Sequence, residues 1–122
     1  MIIPTLRYQD AKAAIDFLER AFGFERRHVT ENPDGTVTHA ELTHGSGMVM
    51  LGTARDGDRF STGRAVIYVV VDDPDGRHDR AKAAGATIIQ ELTDQDYGSR
   101  EFAAEDREGN VWSFGTYDPF AT

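Results

Sequence analysis

Cysteine is absent from the 122 residues, which removes disulfides, thiol nucleophiles, zinc–thiolate sites and iron–sulfur clusters from consideration. Basic residues are few: 13 Lys and Arg against 21 Asp and Glu leave a formal charge of −8. Nucleic acid is a poor partner for such a chain, because phosphates are neutralised by clustered Lys and Arg. No apolar run approaches the roughly 18 residues of a membrane-spanning helix, and Met1-Ile2-Ile3-Pro4 lacks the basic and apolar regions of a secretion signal. No nucleic acid, no membrane and a cytoplasmic location are therefore expected. Phosphate-cradling loops are missing too, since Gly45-Ser46-Gly47 lacks the Lys-Ser/Thr and lies between strands. No motif suggests a Ser-His-Asp arrangement. What remains is a globular composition, 39% apolar and 28% charged, with length enough to bury roughly two-thirds of the unfolded surface.

The chain carries a hidden repeat. Shifted by 63 residues, Asp10 falls on Asp73, Gly35 on Gly98, Ala40 on Ala103 and Gly52 on Gly115, while Leu6 meets Val69, Val49 meets Trp112 and Leu51 meets Phe114. The order of local signals repeats as well. In the first half, Ile2 to Tyr8 reads as a strand and Asp10 as a helix cap. Ala11, Ala14, Ile15, Leu18, Ala21 and Phe22 then form one apolar stripe, which Gly23 ends. Strands follow over Phe24 to Thr30, Thr36 to Leu42 and Met48 to Leu51, separated by Asn32-Pro33-Asp34-Gly35 and Gly45-Ser46-Gly47.

In the second half, Ala65 to Val71 is a β-branched strand and Asp72-Asp73-Pro74 opens a helix with proline in its first position. Ala81, Ala84 and His78 face inward and Gly85 stops it. Strands follow over Ala86 to Leu92, Glu101 to Glu105 and Val111 to Thr116, with Arg107-Glu108-Gly109-Asn110 as a hairpin turn. The expectation is an α+β fold of tandem βαβββ modules: one domain over 1–122, made of modules 1–54 and 64–122 joined by a polar linker, 55–63. Two such sheets, curved by their twist, would enclose a trough able to hold a small molecule.

The tandem modules, the stretch Asp-Ala-Lys-Ala-Ala-Ile-Asp-Phe-Leu-Glu-Arg-Ala-Phe-Gly-Phe-Glu (10–25) and the stretch Tyr-Gly-Ser-Arg-Glu-Phe-Ala-Ala-Glu-Asp-Arg-Glu-Gly-Asn-Val-Trp-Ser-Phe (97–114) resemble the vicinal oxygen chelate superfamily. That group unites glyoxalases, bleomycin-resistance proteins and extradiol dioxygenases. The similarity is greatest to its small dimeric bleomycin-resistance-like or PhnB-like branch and implies a homodimer. It names no reaction, because one fold hosts many chemistries.

The resemblance also implies where a divalent metal would sit: on the first and last strand of each module, usually on His, Gln or Glu. The repeat offset puts those positions at Thr5, Met50, Tyr68 and Ser113, with 45 residues between the members of each pair. None is a usual ligand, since a thioether is soft and a neutral hydroxyl weak. No metal and no cofactor are therefore expected. His39 and Glu41 share a strand face, with His44 in the adjoining turn. They supply two ligands where a catalytic metal normally takes about three from the protein. His39-Ala40-Glu41-Leu42 also resembles a segment of the PhnB-like branch. As an acid–base pair, His39 and Glu41 would need a carboxyl raised by burial.

Alternation carried outward from the four positions names a ligand-facing set: Thr5 and Arg7; His39 and Glu41; Met48 and Met50; Val66, Tyr68 and Val70; Arg100 and Phe102; Val111 and Ser113. Leu6, Val49, Leu51, Ile67, Val69, Trp112 and Phe114 should meet the helices instead. Met48 and Met50 are adaptable walls, and Tyr68 and Phe102 suit stacking on a planar ligand. Packing is the competing role for Tyr68, and pairing with a carboxylate that fixes the turn after Tyr97-Gly98 the competing role for Arg100. The expected function is metal-independent binding of a small aromatic or amphipathic molecule, antibiotic sequestration being one form of it. The alternatives are a lyase, isomerase or dioxygenase with a non-standard site at His39 and Glu41, and a regulatory or structural module.

Overall fold

In the computed structural model, which describes residues 1–121, the chain divides between Gly63 and Arg64 into two compact units. The first contains β1 (Thr5–Tyr8), α1 (Ala11–Phe22), β2 (Glu25–Glu31), β3 (Val37–His44) and β4 (Gly47–Thr53). The second contains β5 (Val66–Val70), α2 (Pro74–Ala83), β6 (Thr87–Asp94), β7 (Arg100–Glu105) and β8 (Val111–Gly115). Each unit is the expected βαβββ module, and together they form an α+β chain with two four-stranded mixed sheets.

The first helix follows directly from local chemistry. Asp10 accepts a hydrogen bond from the Ala13 N–H at 3.1 Å, capping α1. Gly23 leaves the helix in the left-handed region, φ 77°, where a Cβ is unfavourable. The stripe Ala11, Ala14, Ile15, Leu18, Ala21 and Phe22 is buried as expected, and Phe17 joins it with its ring edge-on to Phe22 at 5.4 Å. The second helix has little apolar surface to bury. Asp73 caps it by accepting from the Gly76 N–H at 3.0 Å, and Pro74, His78 and Ala81 are its buried residues. His78 compensates for the polar burial through Glu91 at 2.9 Å and Asp79 at 3.0 Å, with its ring against Phe102.

In the first sheet the order is β1-β4-β3-β2, in the second β5-β8-β7-β6. The β1–β4 and β5–β8 pairs are parallel and the others antiparallel. Because the helix of each module connects the first strand to the second, a parallel neighbour for the first strand comes from the end of the module. β1 starts at Thr5 and not Ile2, because the pairing begins where Pro4 offers its carbonyl to the Met50 N–H at 2.9 Å. Leu6, Val49, Leu51, Trp112 and Phe114 are buried and Ile67 and Val69 half-buried, as their alternation requires.

Trp112 is the largest buried side chain, and its indole N–H is satisfied. It donates to Asp106 at 3.1 Å, whose carboxylate also accepts from the Glu108 and Asn110 backbone N–H groups, each at 3.0 Å. One carboxylate thus holds the β7–β8 turn and the core indole together. With the Asn110 side-chain amide, which donates at 3.0 Å, four donors lose their acceptor in Asp106→Ala, which should lower stability by about 4 kcal/mol in urea unfolding, since a buried unsatisfied donor costs roughly 1–3 kcal/mol.

Candidate functional site

The sheet face turned away from each helix carries the candidate residues, and strand register decides which they are. In the first module Thr5 pairs with Met50, Met50 with Glu41, and Glu41 with His28, so these four lie in one row across β1, β4, β3 and β2. Arg7 pairs with Gly52, Thr30 with His39, and Met48 with Thr43. Thr5, Arg7, His39, Glu41, Met48 and Met50 therefore share one face. In the second module Tyr68 pairs with Ser113 and Ser113 with Ala103, while Val66 pairs with Val111.

Two expected face residues lie elsewhere. Phe102 pairs with Phe114, is fully buried, and stacks on that ring at 4.9 Å with planes 12° apart. Arg100 also turns toward the helix side, donating to Asp75 of α2 at 2.7 and 3.2 Å and to Asp94 at 3.1 Å. These bonds hold its guanidinium more firmly protonated than usual, Asp75 first and Asp94 second. Neither residue belongs to the ligand-facing set. The cause is one residue of register. The β3–β4 ladder closes around a two-residue turn between His44 and Gly47, the β7–β8 ladder around five residues between Glu105 and Val111. Met50 shifted by 63 lands on Ser113, but its β3 partner Glu41 lands on Ala104, whereas Ser113 pairs with Ala103. An odd shift exchanges the two faces of a strand.

The residue that takes the place on the face is Glu101, paired with Gly115. It is 8% exposed and accepts a hydrogen bond from the Tyr97 hydroxyl at 2.8 Å. Tyr68 stands beside it, 39% exposed, donating its hydroxyl proton to the Tyr117 carbonyl at 2.7 Å. Gly115 permits this approach: a Cβ there would lie 2.6 Å from Glu101 Cγ and 2.7 Å from the Tyr68 hydroxyl. Burial, and then the neighbouring Glu101 charge, raise the Tyr68 hydroxyl above its ordinary range, partly offset by hydrogen bonds with Ser99 and Tyr117. Tyr97 is pushed up to about 12, first by its bond to Glu101 and then by burial and charge. Glu101, Tyr97, Ser99 and Tyr117 were not legible from the repeat alone. The five-residue turn was the signal that leads to Glu101.

His39 and Glu41 do meet, with His39 Nε2 and Glu41 Oε2 3.1 Å apart. Arg27 approaches the other carboxylate oxygen at 3.5 Å, and Glu41 is 27% exposed. The bond from His39 outweighs burial and holds the Glu41 carboxyl below its ordinary range, helped by the His39, Arg27 and His28 charges. This is the reverse of the raised carboxyl that proton abstraction by Glu41 requires. His44 ends β3 with its ring packed 5.3 Å from Phe24.

Neither Thr5 with Met50 in the first module nor Tyr68 with Ser113 in the second offers the donors that a divalent ion takes. They offer a thioether and neutral hydroxyls, and the Tyr68 hydroxyl is engaged by a carbonyl. Among the described residues no three His, Asp or Glu side chains converge to hold a metal.

This repeated module defines a class. Residues 3–114 match the family described as the Glyoxalase/Bleomycin resistance protein/Dioxygenase superfamily, and the chain belongs to it. It is 33% identical over 123 residues to Rv0887c of Mycobacterium tuberculosis (strain ATCC 25618 / H37Rv), an uncharacterized protein, covering 92% of this chain and 71% of that one. The crystal structure of TioX from Micromonospora sp. ML1 superimposes with a TM-score of 0.79 at 33% identity, over 100% of this chain and 99% of that one. The fosfomycin resistance protein FosX from Mesorhizobium loti shares the fold, with a TM-score of 0.67 at 13% identity, over 98% and 92% of the two chains.

Replacing Glu101 by Gln removes the charge that holds the Tyr97 proton. The Tyr97 midpoint should fall from about 12 toward the ordinary tyrosine value of 10.0, read by ultraviolet titration against the Tyr97→Phe variant.

Proposed function

We propose that this chain is a metal-independent binding protein that holds a small aromatic or amphipathic molecule against the ligand-facing sheet surfaces. The observation that carries this reading is the chemistry of the paired positions: Thr5 beside Met50 and Tyr68 beside Ser113. The same substitutions that disfavour an ion suit an organic ligand, since thioether and aromatic surfaces with few polar groups line small-molecule sites. Met48 and Met50 adapt to ligand shape, and the Tyr68 ring supplies a stacking surface. The charge of −8 favours a cationic partner at long range, which makes cationic aromatic antibiotics the first compounds to try and sequestration the first role to test.

The chain acts as a homodimer in this reading. Val66 is 76% exposed, with Tyr68 and Val70 beside it on an open strip of β5. A second copy covering that strip removes apolar area from water.

Calorimetry with a cationic aromatic antibiotic, at low and at high salt, tests the ligand class. Saturable binding at low salt that survives a chelator, and that weakens at least about tenfold in Tyr68→Ala through lost stacking and burial, is the expected result. Binding that appears only after loading with Zn, Ni, Mn or Fe, and is lost in His39→Ala or Glu41→Ala, transfers the chain to the metal-dependent enzymes. Sedimentation should give twice the monomer mass, and Val66→Asp should shift it to the monomer by burying a charge in the contact.

A further inference from the structure

One arginine of the first module has no partner. Among the described residues Arg7 forms no hydrogen bond and no ion pair, and its Nε is withdrawn from water. Buried N–H groups are almost always satisfied, so each exception asks for an explanation, an absent ion among them. The sequence is arranged to permit this placement. Arg7 pairs with Gly52, where a Cβ would come within 2.8 Å of Arg7 Nη1 and 2.8 Å of the Thr38 carbonyl oxygen. Any larger residue at 52 would push the guanidinium off the sheet.

The guanidinium helps wall a recess of about 270 Å³ where the β2–β3 turn meets the ends of β1 and β4. Its hydrogen bonds show which polar atoms are already used. Asp34, the one carboxylate on the wall, accepts from the Thr36 N–H at 2.9 Å and the Thr36 hydroxyl at 2.6 Å. The Asn32 amide donates to the Thr36 oxygen at 2.8 Å and accepts from the Thr38 hydroxyl at 2.6 Å. The Thr53 oxygen accepts from the Val37 N–H at 3.0 Å, which leaves its own proton free. Arg55 has only a loose contact with Asp58, 3.8 Å, and is otherwise exposed. The unspent groups are therefore mainly donors: the Arg7 fork, the Thr53 hydroxyl and the Arg55 guanidinium. Two cations face one carboxylate that is already engaged.

We propose that this recess is an oxyanion site, taking a carboxylate or phosphate group of a small molecule. Two ligand oxygens lie on the Arg7 fork, a pairing that guanidinium geometry favours over an ammonium. The Thr53 hydroxyl donates a third bond, and Arg55 closes over the anion from the solvent side. The net charge of −8 repels anions at a distance, so recognition depends on these short directional bonds. The site lies within one module; Arg7 also belongs to the ligand-facing set, but the other recess residues used here, Thr53 and Arg55, do not, so an anion can be held without the aromatic molecule.

The test is nuclear magnetic resonance on the full chain, titrated with acetate in one arm and inorganic phosphate in another. The Arg7 Nε–Hε resonance and the Gly52 and Thr38 amides should move saturably with at least one anion, while the Nε–Hε signal of solvent-facing Arg59 does not. Acetate alone assigns the site to carboxylates, phosphate alone to phosphates, and both to oxyanions generally. Arg7→Lys, which keeps the charge and loses the fork, should weaken the amide response at least about tenfold, and Arg7→Gln should abolish it, each with an unchanged circular dichroism spectrum. Movement of Arg7 no greater than that of Arg59 with either anion, or an undiminished response in Arg7→Gln, overturns the proposal. Neither result bears on the aromatic ligand, which calorimetry reads separately.

Discussion

The parallel pairing of the first and last strand in each module is the constraint on which the rest depends. Thr5 beside Met50 and Tyr68 beside Ser113 set the register of two strands, and period-two alternation then assigns a face to every residue on them. From that assignment follow the helix-facing pairs, Leu6 with Leu51 in one module and Ile67 with Trp112 in the other, and the outward rows that carry the candidate chemistry. The helices only cover one side. α1 does so with a continuous apolar stripe. α2 has little apolar surface and relies on His78, held by Asp79 and Glu91 against the Phe102 ring.

The two modules have diverged in what they place on that outward face. In the first, the carboxylate Glu41 meets both His39 and Arg27, whereas the cation Arg7 has no ion-pair partner among the described residues. In the second, the buried carboxylate Glu101 has one neutral partner, Tyr97, and the arginine of the same strand, Arg100, is committed to two aspartates on the helix side. A duplicated backbone has kept its topology while its polar inventory has been redistributed. That separation is expected where fold depends on apolar alternation and turn residues, and function on a few side chains grafted onto it.

Much of the architecture was legible beforehand because its causes are local. Asp10 and Asp73 cap helices through bonds three residues along, and Gly23 and Gly85 end them with positive φ. The β-branched run at Val66–Val70 has few alternatives to a strand. The face of β1, β3, β4, β5 and β8 was legible too, since alternation needs only a starting point. The face of β7 was not. It depends on how many residues the preceding ladder leaves in its turn, and the 63-residue offset that aligns β4 with β8 misaligns β3 with β7 by one. Alternation carried through that offset points Phe102 and Arg100 outward, where the register puts Glu101.

The sequence by itself determined the number, kind and order of the elements, the absence of thiol chemistry, and the identity of the residues at Thr5, Met50, Tyr68 and Ser113. These depend on composition and on interactions within a few residues. Only the tertiary structure decided that Glu101 faces outward beside Tyr68, that His39 lowers the Glu41 carboxyl where burial alone would raise it, and that Arg7 lies over Gly52 with no partner among the described residues. Each of those depends on strands distant in sequence being brought together at one register. A displacement of a single residue there changes which groups meet, and with it the charge and hydrogen bonding of the face.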